Sequence, residues 1–187
     1  MEKPLLTLNA IAPLNLALEK AIQENLKKTH LFKKDFLAKE GQVSKSIYFL
    51  EKGTCRAFYF SEEKEITNWF MSDGDIVISV YSFFTQSPSL ENIQLLEDAT
   101  VYSLSYQQLQ EIYLRFPQFN LHGRIITEQY YMLSEQRNFA LKKQSAKQRY
   151  DLLLKQYPHI LQKASLGHIA SYLGITQETL SRIRAQK

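Results

Sequence analysis

Apolar positions along the chain change their period twice. In residues 13–29, Leu14, Leu18, Ile22 and Leu26 recur every fourth position. With Pro13 suited to a first turn and Lys27 and Lys28 near the negative end, this spacing predicts a surface helix. From about residue 31 to 103 the texture is different. The segments SIYFL, CRAFYF, ITNWFM, DIVISVY, IQLL and TVYSLS are rich in aromatic and β-branched residues. Turn signals at Glu40-Gly41, Lys52-Gly53 and Asp73-Gly74 punctuate them, so about six short strands in a sandwich or roll are predicted.

Past Ser105 the helical period returns. YQQLQEIYLRF predicts a short helix ended by Pro117, and residues 118–143 predict a long one, broken only by Gly123. Phe119, Ile126, Leu133 and Ala140 fall seven apart, and Tyr130 extends the same face. That repeat suits either a seam with a second copy of the helix or a core face lying on the β domain. Ser145 and Gln148 then form a capping box for a helix whose apolar face is Tyr150, Leu153, Leu154 and Tyr157.

Residues 166–183, LGHIASYLGITQETLSRI, have the pattern of two short helices crossing steeply. Ala170 permits close approach, Gly174 can take positive φ, and Ile169, Leu173, Ile175, Leu180 and Ile183 supply the inner faces. Ser165 and Thr176 stand as N-caps. On the second helix Gln177, Glu178, Ser181 and Arg182 are left facing outward. These are side chains able to fork onto guanine, pair adenine or accept from cytosine. Ser165, Thr176, Thr179 and Arg184 are placed for phosphates. The plain alternative is an α-hairpin with a solvated outer face.

Composition sharpens this picture. In 187 residues, 44% apolar and 22% charged, no apolar run is long enough to span a membrane, and the first residues lack the pattern of a secretory signal. The expectation is a cytoplasmic protein. One cysteine, Cys55, excludes an internal disulfide and any multi-cysteine metal site. From Lys142 onward nine Lys or Arg face two acids, a net +7, which leaves −3 on the first 141 residues. A basic segment behind an acidic body suits a polyanion, or is simply a solvated helix end. Lys142, Lys143, Lys147 and Arg149 are its candidates for phosphate-backbone support.

The order of these parts resembles the Crp/Fnr family of transcription regulators. The resemblance rests on EGQVSKSIYFLEKGTCRAFY (40–59), MSDGDIVIS (71–79) and ITQETLSRI (175–183). It implies an α+β fold: an N-terminal antiparallel β-roll (double-stranded β-helix, jelly-roll-like) with flanking helices at 1–117, a long dimerisation helix at 118–143, and a small helix-turn-helix domain at 144–187. It further implies a homodimer seamed through Phe119, Ile126, Tyr130, Leu133 and Ala140, bound to a palindromic operator in double-stranded DNA, with RNA polymerase as a further partner. Glu178 and Arg182 fall where the family contacts base edges, while Gln177 replaces a frequent Arg. The chain runs only to Lys187, without residues for the family's β wing, so DNA affinity is expected to lean on the Lys142–Arg149 cations.

The loop in which relatives hold a cyclic nucleotide departs from the pattern. Ile78, Ser79 and Val80 replace a Gly-Glu-Leu turn, and Glu91-Asn92 stands near the position of the phosphate-binding Arg. No Lys or Arg occurs in residues 65–114, which hold seven carboxylates. A buried phosphodiester needs a cation or converging N–H donors. Cyclic AMP is therefore not the expected effector, although Arg56 or Arg124 could reach in from outside the loop. A different small molecule, if any, is expected near Ile78, Ser79, Val80, Tyr81, Glu91, Asn92 and Arg124; Trp69, Phe70, Tyr81, Phe83 and Phe84 are expected in the core, with residues 81–89 as an apolar lid over a pocket as the alternative. No histidine lies in the β-rich stretch, which argues against a cupin metal centre, and Cys55 suits a small buried hydrophobe better than a haem ligand. No nucleophile elbow, phosphate loop or acid/base pair is present, so an enzyme is not expected. The reading from another class is a ligand-binding module that acts through a protein partner.

Overall fold

Among the described residues, alternating apolar positions put eight short strands into two facing antiparallel sheets. The computed structural model describes residues 3–185; Lys187, counted above among the basic residues, lies outside them. The chain starts with α1 (Lys3–Ile11) and α2 (Leu16–Asn25). The strands are β1 (Lys27–Leu31), β2 (Phe36–Ala38), β3 (Ser46–Lys52), β4 (Cys55–Ser61), β5 (Lys64–Met71), β6 (Ile76–Val77), β7 (Asn92–Leu95) and β8 (Ala99–Ser105). One sheet runs β1-β8-β3-β6 and the other β2-β7-β4-β5, every pair antiparallel, as a β-roll requires. Leu37, Leu50, Cys55, Ala57, Val77, Ile93, Leu95 and Val101 fill the space between them.

Two readings are corrected here. The helix expected over 13–29 is shorter, and its last residues are strand β1, paired with β8 from Lys27↔Ser103 to Leu31↔Ala99. Asn15, not Pro13, starts it, its side chain accepting from the Leu18 N–H. The helical stripe ended where Thr29 and Leu31 gained ladder partners. The strand expected over DIVISVY stops at Val77, and Val80–Thr85 is a helix, α3. Tyr81 and Phe84, expected in the core or over a pocket, are each 54% exposed, whereas Phe70 and Phe83 are fully buried.

Helix α4 (Tyr106–Arg115) has a capping box of its own, Ser105 with Gln108. It packs with α1 and α2 over the outer face of the first sheet, burying Leu5, Leu8, Leu18, Ile22, Ile47, Phe49, Leu104, Leu109 and Ile112. A 3-10 turn at Pro117–Phe119 leads into the long helix α5 (Asn120–Lys143). Gly123, the one residue that weakens α5 as a helix, is there for packing: a Cβ at that position would lie 2.2 Å from the Tyr113 hydroxyl of α4.

The remaining helices are α6 (Ala146–Gln156), α7 (Ile160–Lys163), α8 (Leu166–Leu173) and α9 (Gln177–Ala185). They close a separate core of Tyr150, Leu153, Tyr157, Ile160, Ile169, Ala170, Leu173, Leu180 and Ile183. Phe70 and Leu96 of the β-roll belong to this core too, so the helical unit is seated on the outer face of the second sheet. Among the described residues no helix is long and apolar enough to cross a membrane.

Candidate functional site

Gly174 ends α8 in the left-handed conformation, with φ 64°, and its N–H returns to the last turn of that helix. Three residues later α9 begins. Ser165 caps α8 through the His168 N–H, and Thr176 caps α9 through the Thr179 N–H at 3.2 Å. Leu180 and Ile183 are buried against α8, which fixes the roll of α9 about its axis. Its opposite face is open: Thr176, Gln177, Glu178, Ser181, Arg182 and Arg184 are all exposed, and Thr179 is half-buried. The Thr179 hydroxyl accepts from Arg182 at 3.2 Å, which holds the guanidinium over the first turn. Gln177 extends back toward α8, where a Cβ on Gly167 would be 3.1 Å from its Nε2. The Glu178 carboxyl is held below its ordinary range, mainly by its own backbone N–H and then by Thr176 at the helix start. α9 therefore presents an anion, a cation and an amide on one accessible face.

The basic support residues do not stay together. Lys142 and Lys143 are exposed at the end of α5. Lys147 pairs with Asp151 one turn on. Arg149 is not free for phosphate: it donates to the Leu173 carbonyl at 2.9 Å and to the Gln144 carbonyl at 2.5 Å. The last carbonyls of α8 lack helical partners, and Arg149 satisfies one of them. Arg137, which the sequence reading did not single out, donates to the preceding one, Tyr172. An arginine six residues before the end of an amphipathic helix was the available signal, but only the fold brings it to Tyr172.

The predicted seam of α5 is also corrected. Phe119 and Ala140 are buried, Ile126 packs on the core of the first sheet and Tyr130 accepts from the Ile76 N–H at 2.8 Å. These residues face their own chain, and of the predicted five only Leu133 remains open. A second heptad, one position earlier, lies on the outside: Ile125 is half-buried, Met132 56% exposed and Phe139 60% exposed, with Leu121 extending the row. The repeat was real, but neighbouring registers of a helix carry it equally well and only packing separates them.

At the effector loop, Ile78 packs on the core while Val80 and Tyr81 turn outward. Buried Ser79 bonds Ser89 at 2.9 Å, Ser82 accepts from the Ser44 N–H, and Asn92 accepts from the Glu40 N–H. The loop's polar groups thus satisfy one another. Burial raises the Glu91 carboxyl, with Ser79 opposing. Arg124 is elsewhere, paired with Glu128 on α5 beside a groove of about 610 Å³ that Phe84, Tyr113 and Leu121 line. Arg56 is elsewhere too, on the outer face of the second sheet and paired with Glu65. Cys55 is fully buried between the sheets, its thiol pushed up by burial and by Asp75, and His122 bonds the Ala12 carbonyl at 3.0 Å.

Residues 28–116 match the family model of the cyclic nucleotide-binding domain. The transcriptional activator Anr of Pseudomonas protegens is 25% identical over 91% of this chain and 75% of its own. Among solved structures, FixK2 of Bradyrhizobium japonicum superposes with a TM-score of 0.75 at 18% identity, covering 86% of this chain and 83% of that one. A Crp/Fnr-family regulator of Eubacterium rectale gives 0.71 at 19% identity over 92% and 83%. Anr and the Eubacterium rectale protein are described as transcription regulators. By domain, relative and fold together, the chain is similar to Crp/Fnr-type proteins: a match to the cyclic nucleotide-binding domain, followed by a long helix and a pair of short crossing helices.

Proposed function

We propose that this chain is a sequence-specific DNA-binding regulator that works as a homodimer in the cytoplasm. The observation that carries the reading is α9: Leu180 and Ile183 hold it from inside, and Gln177, Glu178, Ser181 and Arg182 are exposed on its outer face. Arg182 and Glu178 suit base edges in a major groove, and Ser165, Thr176, Thr179 and Arg184 suit the phosphates on either side. Lys142 and Lys143 add backbone contacts, whereas Arg149 is withdrawn into the protein.

The dimer runs through the outer heptad of α5, Leu121, Ile125, Met132 and Phe139, with Leu133 at its edge. Two-fold symmetry then calls for a palindromic operator with half-sites about one helical turn apart. RNA polymerase is the further partner such a regulator works with. The effector is not cyclic AMP. Ser79 and Ser89 are spent on each other, Ser82 on the Ser87 carbonyl and the Ser44 N–H, and Arg56 on Glu65, while the half-buried Glu91 would oppose a phosphate. An uncharged small molecule, or none, fits this loop.

Fluorescence anisotropy on duplex DNA at several salt concentrations tests the reading. Affinity should fall steeply as salt rises, because each bound Lys or Arg releases counterions. A flat dependence with no measurable binding would favour a module that acts through a protein partner.

A further inference from the structure

Helix α8 lies along β5, the edge strand of the second sheet. One end of this contact is apolar: Phe70 packs on Tyr157 and Tyr172, and the Tyr157 hydroxyl donates to the Phe70 carbonyl at 2.6 Å. In the middle, the Thr67 N–H of the strand edge donates to Ser171 Oγ at 3.0 Å. The other end is ionic. Arg56 is only 2% exposed, pairs with Glu65, donates to Thr67 and stacks 3.9 Å from the Phe58 ring. His168 Nε2 is 3.7 Å from the same Glu65 oxygen. Arg56 Nε and His168 Nδ1 are both buried without partners.

The charged groups facing His168 are Glu65 from β5 and Arg56 from β4. The Lys163–Glu97 pair and Arg137 serve other parts of the same interface. One carboxylate is therefore shared between a permanent cation and an imidazole, and it is already engaged by the cation.

We propose that this seam is an acid-released latch: neutral His168 allows α8 to dock on β5, and its protonation frees the helix-turn-helix from the β-roll. A second cation here must give up water beside Arg56 with half a carboxylate to share. Burial first, and Arg56 second, hold the docked imidazole below its ordinary value, with Glu65 opposing. Undocked, His168 would titrate near its ordinary value of about 6.5. The contribution to docking is then complete above that value and is lost as pH falls through the lower, docked value. The latch concerns the interface alone and stands whether or not α9 binds DNA.

Hydrogen exchange on the full chain at pH 7.5 and 5.5, corrected for intrinsic rates, tests it. Protection over β5 and α8 should drop at pH 5.5 by up to about tenfold, the limit set by an imidazole value of about 6.5. Protection over β3 and β8 should hold. His168→Gln should remove the pH dependence, and Ser171→Ala should lower protection at both pH values while keeping it. Should His168→Gln fail to fold, an NMR titration of the natural chain replaces it. The Thr67 amide should then shift with the midpoint of His168, below the ordinary imidazole value. Equal protection at both pH values, pH dependence surviving in His168→Gln, or a Thr67 amide indifferent to His168 would overturn the latch.

Discussion

The guanidinium of Arg137 lies 3.6 Å from the centre of the Tyr172 ring and donates to that residue's own carbonyl at 2.8 Å. One side chain of α5 thus grips both the ring and the backbone at the end of α8. Together with Arg149 on Leu173, it fixes the angle at which the helix-turn-helix leaves the long helix.

Arg137→Ala removes a charge-assisted hydrogen bond and a stacked cation. The expected cost is about 2–3 kcal/mol of stability, seen as a lower midpoint in urea. Arg137→Lys should recover less than half, because an ammonium cannot lie flat on the ring while reaching the carbonyl. Full recovery by lysine would show that the stacking contributes nothing.

Arg182→Ala should cost roughly 1–3 kcal/mol on the cognate site and relax the preference at one base pair. Lys143→Ala should instead weaken all duplexes about equally and reduce the salt slope by about one. A binding-site selection with each variant separates these two patterns.

Met132→Glu combined with Phe139→Glu places charges on the outer heptad of α5. The expected product is a folded monomer in sedimentation velocity, with unchanged circular dichroism, because neither side chain is buried in the chain itself. Ala140→Glu should unfold the protein locally instead, since Ala140 is buried. A dimer persisting in the double variant would remove α5 from the interface.

Gly123→Ala forces a methyl group onto the Tyr113 hydroxyl and should destabilise the fold by about 1–3 kcal/mol. Tyr113→Phe in the same chain should return part of that loss, because it deletes the clashing oxygen. A double-mutant cycle by chemical denaturation measures the coupling.

Glu91 gives a pH test with a definite sign. Burial raises its carboxyl in the folded chain, so the folded state holds the proton more tightly than the unfolded one. This group therefore lowers stability as pH rises through the ordinary carboxylate value toward the raised one. Glu91→Gln should raise the melting temperature at pH 7 and give no advantage at pH 4. An equal gain at both would point to packing rather than charge.

Much of this protein was legible as a sequence because the signals were local. The capping box at Ser145, the turn at Gly174 and the inward positions Leu180 and Ile183 each depend on residues a few places apart. Backbone sterics and helical period decide them wherever the chain ends up. The order of a β-rich domain, a long helix and a helix-turn-helix followed from the same kind of signal.

Tertiary structure decided the rest, where one local pattern had two outlets. The heptad in α5 fits the face of Ile126 or the face of Ile125 and Met132, and only the β-roll beneath chose which one is covered. Residues 27–29 were expected to end a helix, and they are strand instead because β8 offers them ladder hydrogen bonds. Arg149, Arg56 and Arg137 are surface cations by composition. Each was claimed by a carbonyl or carboxylate at least five residues away in sequence, up to 35 for Arg137. The physical reason is that buried polar groups must find partners, and which partners lie in reach is set by the packing of distant elements.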